Sequence, residues 1–150
     1  MPTPTHTPVL RAPGTWTPDA VSGPAVLTVP GRPEKVSEAR AFARQLLGCR
    51  HACLDTVVLL LSELVTNSVR HSRSARAGGL ITIAITHSET VVHVEVTDEG
   101  SDNAPSLFPA DDRSEQGYGL ALVEASAIRW GFSRSGAKST TCWFEVRAAM

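Results

Sequence analysis

The chain predicts an α+β fold: a two-layer α/β sandwich in which helices cover one face of a mixed, mostly antiparallel sheet. Three observations lead there. Helical patterns cluster early in the chain, strand patterns come in hairpins, and 150 residues with 42% hydrophobic content suit one core.

Eight of the ten prolines fall within the first 33 residues. The opening run MPTPTHTPVLRAPGTWTP has no apolar period and would bury too little surface to offset the entropy of ordering. Residues 1–22 are therefore expected to form a flexible tail and residues 23–150 the folded domain. AVLTVP (25–30) reads as a first strand, stopped by Pro30, Gly31 and Pro33. From Glu34 to Leu47 the apolar residues Val36, Ala39, Ala43, Leu46 and Leu47 recur at helical spacing, and Gly48 marks the stop. CRHAC (49–53) connects this helix to a second, from Leu54 to Ser72.

LITIAITHS and VVHVEVTD alternate apolar and polar residues on either side of Glu89-Thr90, as an antiparallel hairpin should. The polar loop at 101–116 is longer than most connections, and such loops commonly carry function. LALVEASAIRW (120–130) has helical spacing, and WGFSRS with TTCWFEVRA form a closing hairpin around Gly136-Ala137-Lys138.

A formal charge of −1 and a pI near 6.5 give no footprint for nucleic acid. No apolar run is long enough for a membrane span or is flanked as a leader peptide would be, so a cytoplasmic protein is expected. The odd count of three cysteines suits reduced thiols, and Cys49, His51 and Cys53 fall short of the four ligands of structural zinc. His87 and His93 are expected on the sheet surface, and Trp130, Trp143 and Phe144 in the core.

Winding the second helix at about 100° per residue places Leu54, Val57, Val58, Leu61 and Val65 in one sector as a core face. Ser62, Thr66 and Arg70 fall on a side expected to be solvated. Glu63, Asn67 and His71 make a third stripe, with Leu60 projecting between Asn67 and His71, at the edge of the apolar cover. A carboxylate and an amide in that position need partners. Internal pairing would suffice. A metal-phosphate site would also, because magnesium takes hard oxygen ligands and Glu63 could act as a general base one turn away.

Two further motifs bear on the choice. VTDEG (96–100) ends a strand in Asp98, an acceptor for an amino group, followed by Gly100, which permits close approach to the backbone, although Asp-x-Gly is also a common turn. QGYGLALVEA (116–125) places Gly117 and Gly119 before a helix whose first amides would suit an anion. Neither a Rossmann fingerprint nor a Walker sequence is present.

In this order, ELVTNSVRH, DEG, GYGLALV and a late TTCWFEV strand, the chain resembles the ATP-binding domain shared by DNA gyrase B, histidine kinases and heat-shock chaperones, the Bergerat fold. It is most similar to the short, single-domain anti-sigma-factor serine kinases, in the SELVTNSVRH form of the first box and in the run from GLALV to WGF before a final Trp-Phe-Glu strand. The resemblance implies that Asn67 ligates Mg2+ and that Glu63 is the catalytic base. It implies that Arg70 and His71 face phosphates, that Asp98 accepts from the adenine amino group, and that Gly100 floors the base pocket. Gly117, Tyr118, Gly119 and Leu120 would cradle the phosphates of ATP, Thr141 would support the adenine-binding acid, and 101–116 would be the nucleotide lid. The chain departs from many members in having no second glycine two residues after Gly100, and its lid is short.

The function implied is a bacterial serine/threonine protein kinase and anti-sigma factor acting in transcription regulation. It would phosphorylate a serine of an anti-anti-sigma protein and so control a sigma factor, with a homodimer as a further expectation. The alternative is a catalytically silent nucleotide-binding switch that acts through protein binding alone.

Overall fold

The structure is a computed structural model that describes residues 24–100, 129–135 and 139–148. Strand β1 (Ala25–Pro30) leads through a short 3-10 turn at Pro33–Lys35 into helix α1 (Val36–Leu47) and then helix α2 (Leu54–His71). A second 3-10 turn, Arg73–Ala75, precedes β2 (Leu80–His87), β3 (Val91–Asp98), β4 (Arg129–Ser135) and β5 (Ser139–Arg147). The strands form one sheet in the order β1-β2-β3-β5-β4, and every pairing among them is antiparallel. The expected tail, the loop at 101–116 and the glycine box at 117–120 lie outside the described residues. So does most of the expected third helix, whose last two residues, Arg129 and Trp130, open β4 instead.

Alternation along the strands explains how the sheet meets the helices. Ile81, Ile83 and Ile85 of β2, Val92, Val94 and Val96 of β3, and Phe144 and Val146 of β5 join one apolar cluster with α1 and α2. Ala39 and Ala43 are the fully buried residues of α1, small enough for that helix to lie close to its neighbours. Gly48, at φ +87°, ends the helix with its N–H on the Arg44 carbonyl, a conformation that disfavours any side chain.

On α2 the buried set is Val57, Leu60, Leu61, Ser62, Leu64, Val65 and Ser68, a wider arc than the expected core face. Leu60, expected at the edge of the cover, is completely buried. Ser62, expected in solvent, is buried because α1 lies against that flank: Arg40 Nε donates to its Oγ at 2.8 Å. The Ser62 hydroxyl in turn donates to the Val58 carbonyl. Arg70 is exposed and Thr66 half-buried.

His93 corrects the sequence reading more sharply. It lies on the sheet face opposite α1 and α2, yet it is buried. Its Nδ1 is 2.9 Å from Glu145 Oε2 and its Nε2 is 2.9 Å from Glu95 Oε2, while Trp143 stacks on the ring. Arg129 Nε and Nη2 then hold the other Glu145 oxygen at 2.8 and 2.7 Å. Alternation alone predicted an outward-facing, solvated imidazole; cross-strand pairing of His93 with Glu145 converts that position into a buried charge cluster. Trp143, expected in the core, is buried on this second face, whereas Trp130 and Phe144 belong to the apolar cluster.

Candidate functional site

The site begins where α2 ends. Ser72 closes that helix by donating through both its N–H and its hydroxyl to the Ser68 carbonyl, and its Oγ then accepts from the Ser74 N–H. The 3-10 turn this starts is stitched to the end of β3. Arg73 N–H donates to the Gly100 carbonyl at 2.7 Å, and Glu99 N–H donates to Ser74 Oγ at 2.9 Å. Ser74 Oγ donates to the Leu80 carbonyl, and Leu80 N–H donates to Glu99 Oε2. Gly31 and Gly79 close over the same turn, where a Cβ would stand 2.2 and 2.4 Å from the Ser74 carbonyl oxygen. These bonds set the Asp98-Glu99-Gly100 turn against the C-terminal end of α2.

Asp98 is the centre of the arrangement. Its Oδ1 accepts from the Gly100 N–H at 2.8 Å and its Oδ2 from Ser68 Oγ at 2.6 Å. Burial raises the carboxyl, those two donors pull it back, and the neighbouring Glu99 charge raises it again, leaving it above the usual aspartate range. Gly100 has φ +78°, so glycine is required by the backbone of the turn as well as by any ligand. Behind it on β5, burial and the Asp98 charge push the Cys142 thiol up to about 12.

One residue before Ser68 stands Asn67, whose Oδ1 is shielded from solvent with no hydrogen-bond partner among the described residues. A buried amide oxygen left in this way costs free energy unless something supplies a positive charge or a donor. A neutral oxygen of this kind fits one position in the all-oxygen shell of magnesium. Glu63 is half-buried one turn earlier on the same helix, while Arg70 and His71 are exposed at its end. Among the described residues no group of three or more His, Cys, Asp or Glu side chains could hold a metal. The Cys49–Cys53 connection has other work: His51 Nε2 meets the Ser88 carbonyl, and its Nδ1 accepts from Cys53 N–H.

The structure therefore brings Asn67, Asp98 and Gly100 to one corner, with Glu63 a turn away. Thr141 is buried on β5, but its hydroxyl pairs with Thr97 at 2.7 Å; the hydroxyl that serves Asp98 belongs to Ser68. Gly117, Tyr118, Gly119 and Leu120 lie outside the described residues. Ser68 was not singled out in the sequence, although a signal was there: it projects into the apolar sector of α2 beside Leu61, where a hydroxyl needs an acceptor.

Comparison with known families bears on the fold as a whole. The family model for the histidine kinase-like ATPase domain matches residues 29–143, and the chain belongs to that family. Membership makes this an ATPase-type domain and implies ATP binding. A solved structure, that of the RsbU and RsbW domains of Rv1364c from Mycobacterium tuberculosis, superposes with a TM-score of 0.59 at 24% sequence identity. The match covers 87% of this chain and 34% of that one, so the chain spans about a third of its length and the likeness establishes the fold. No curated protein matches the sequence at a significant level. Among the described residues no helix is long and apolar enough to cross a membrane.

Proposed function

We propose that this chain binds Mg-ATP and phosphorylates a serine of an anti-anti-sigma protein, thereby controlling the availability of a sigma factor in the bacterial cytoplasm. The observation that carries the reading is the shielded and unsatisfied Oδ1 of Asn67, one residue before Ser68, whose hydroxyl holds Asp98, the half-buried acceptor at the end of β3. The SELVTNSVRH box supports the anti-sigma assignment, and a homodimer belongs to the same proposal.

In this reading Asp98 accepts from the adenine amino group and Gly100 lies under the base. Asn67 holds Mg2+, which when bound supplies positive charge to the phosphates. Arg70 and His71, exposed at the end of α2, face the phosphates together with Gly117, Tyr118, Gly119 and Leu120. Thr141 lies on β5 behind the adenine pocket. Glu63 takes the proton of the attacking serine hydroxyl, and the rest of catalysis is positioning.

The test is transfer of labelled phosphate from ATP to candidate anti-anti-sigma proteins, followed by detection of phosphoserine. Glu63→Ala should bind ATP and lose transfer, while Asn67→Ala should lose the magnesium dependence of binding. Transfer that survives Glu63→Ala would refute the assignment of the base. ATP binding without phosphoserine on any partner would leave the silent switch as the correct reading.

A further inference from the structure

The structure assigns Ser68 as the positioning residue of the base-recognising carboxylate: its hydroxyl holds Asp98 Oδ2 so that the ionised acid presents its remaining lone pairs to an amino donor. The inference rests on the proposed adenine-binding reading of the site. Three observations carry it. The Ser68 Oγ to Asp98 Oδ2 distance of 2.6 Å is that of a charge-assisted O–H···O⁻ bond. Ser68 is itself buried on the core side of α2, so the bond is shielded from competing water. The second oxygen is held independently by Gly100 N–H at 2.8 Å, so the carboxylate plane is fixed at both oxygens.

The consequence is a mechanical link within the site. Ser68 follows Asn67 on α2, so the same turn of helix that carries the shielded amide oxygen also sets the carboxylate on β3. The groups around the acid among the described residues include the Ser68 hydroxyl from α2, the Gly100 N–H and the Glu99 carboxylate from its own turn, and from β5 the Cys142 thiol and the buried Thr140 paired opposite it. Of these only Ser68 and Gly100 favour the ionised form, and only Ser68 does so through a side chain. A 6-amino purine donates to the ionised form, whereas a 6-oxo purine offers it an acceptor.

The experiment is calorimetric titration of the full chain with ADP and magnesium from pH 5 to 8, for wild type and Ser68→Ala. Alanine is the strongest helix former and removes a single oxygen, so the helix is retained. Ser68→Ala should bind ADP about tenfold more weakly near neutral pH, the loss expected for a hydrogen bond to a charged group. With one stabilising donor gone, the carboxyl titrates higher, so the fall in affinity on acidification should begin at higher pH than in wild type. Wild-type affinity together with an unchanged pH profile would overturn the assignment. So would a loss of affinity that is uniform across pH, because a packing defect does not move a titration. Absence of ADP binding by the wild type would overturn the nucleotide reading itself, and the inference with it.

Discussion

Replacing Glu145 by alanine probes the charge cluster on the sheet face opposite α1 and α2. Its Oε2 lies 2.9 Å from His93 Nδ1, and its Oε1 accepts from Arg129 at 2.8 and 2.7 Å. Both Glu145 and His93 are 2% exposed, whereas the Arg129 side chain is 53% exposed. Removing one partner of a buried ion pair costs about 3–5 kcal/mol, and here the pair is the Glu145 carboxylate with Arg129, while His93 loses a hydrogen bond beside it. Water can re-solvate the exposed Arg129, which places the expected loss near the lower end, about 3 kcal/mol. Against a total stability of about 5–15 kcal/mol this is a large fraction. At about 2–4 °C per kcal/mol, the melting temperature should fall by roughly 6–12 °C.

Thermal unfolding followed by circular dichroism reads that shift, and its pH dependence supplies an independent check. Burial alone would raise the Glu145 carboxyl; hydrogen bonds and positive charge from His93 and Arg129 outweigh it, so the folded-state value lies below the ordinary 4.5. A depressed carboxyl contributes stability that is fully present above the unfolded value and is lost as pH falls through the folded one. The gap between wild type and Glu145→Ala should therefore be widest above the ordinary 4.5 and narrow on acidification below it. A mutant melting within about 2 °C of wild type at neutral pH would refute the claim that the cluster stabilises the sheet.

Other expectations concern the glycines and the thiols. Gly31→Ala and Gly79→Ala should each destabilise the fold by about 1–3 kcal/mol in urea titrations, because the new Cβ meets the Ser74 carbonyl and not a movable side chain. Gly79→Ala should also weaken ADP binding, since Ser74 and Glu99 tie that turn to Asp98. In the native protein iodoacetamide should label exposed Cys49 first. Cys53, buried with its thiol pushed up by burial, should react only on unfolding, and half-buried Cys142, pushed up to about 12, should react more slowly than Cys49. Mass spectrometry of the labelled peptides decides the order, and rapid labelling of Cys142 in folded protein would contradict its placement.

Local patterns were enough to place β1, α1, α2 and the hairpin of β2 and β3 within a residue or two. Hydrophobic period, proline and glycine stops and turn residues act over a few positions and survive in the linear chain. The same holds for Asp98 and Gly100, marked by the end of an alternating strand, and for Asn67, marked as a polar residue at the margin of an apolar stripe. What that stripe could not convey was how much of α2 would be covered. One helix in isolation shows a single apolar face, which leaves Ser62 on the solvated side, and only the approach of α1 and Arg40 gives its hydroxyl a buried donor.

The sequence by itself determined the order of the described elements and the two-layer class, because periodicity and residue type are local properties. Tertiary structure alone decided which polar groups meet. It paired Ser68 with Asp98 across 30 residues, moved the Thr141 hydroxyl to Thr97, and drew His93 and Glu145 together across 52 residues. Such pairings depend on strand register and helix rotation, which shift a side chain from one partner to another without altering any local pattern.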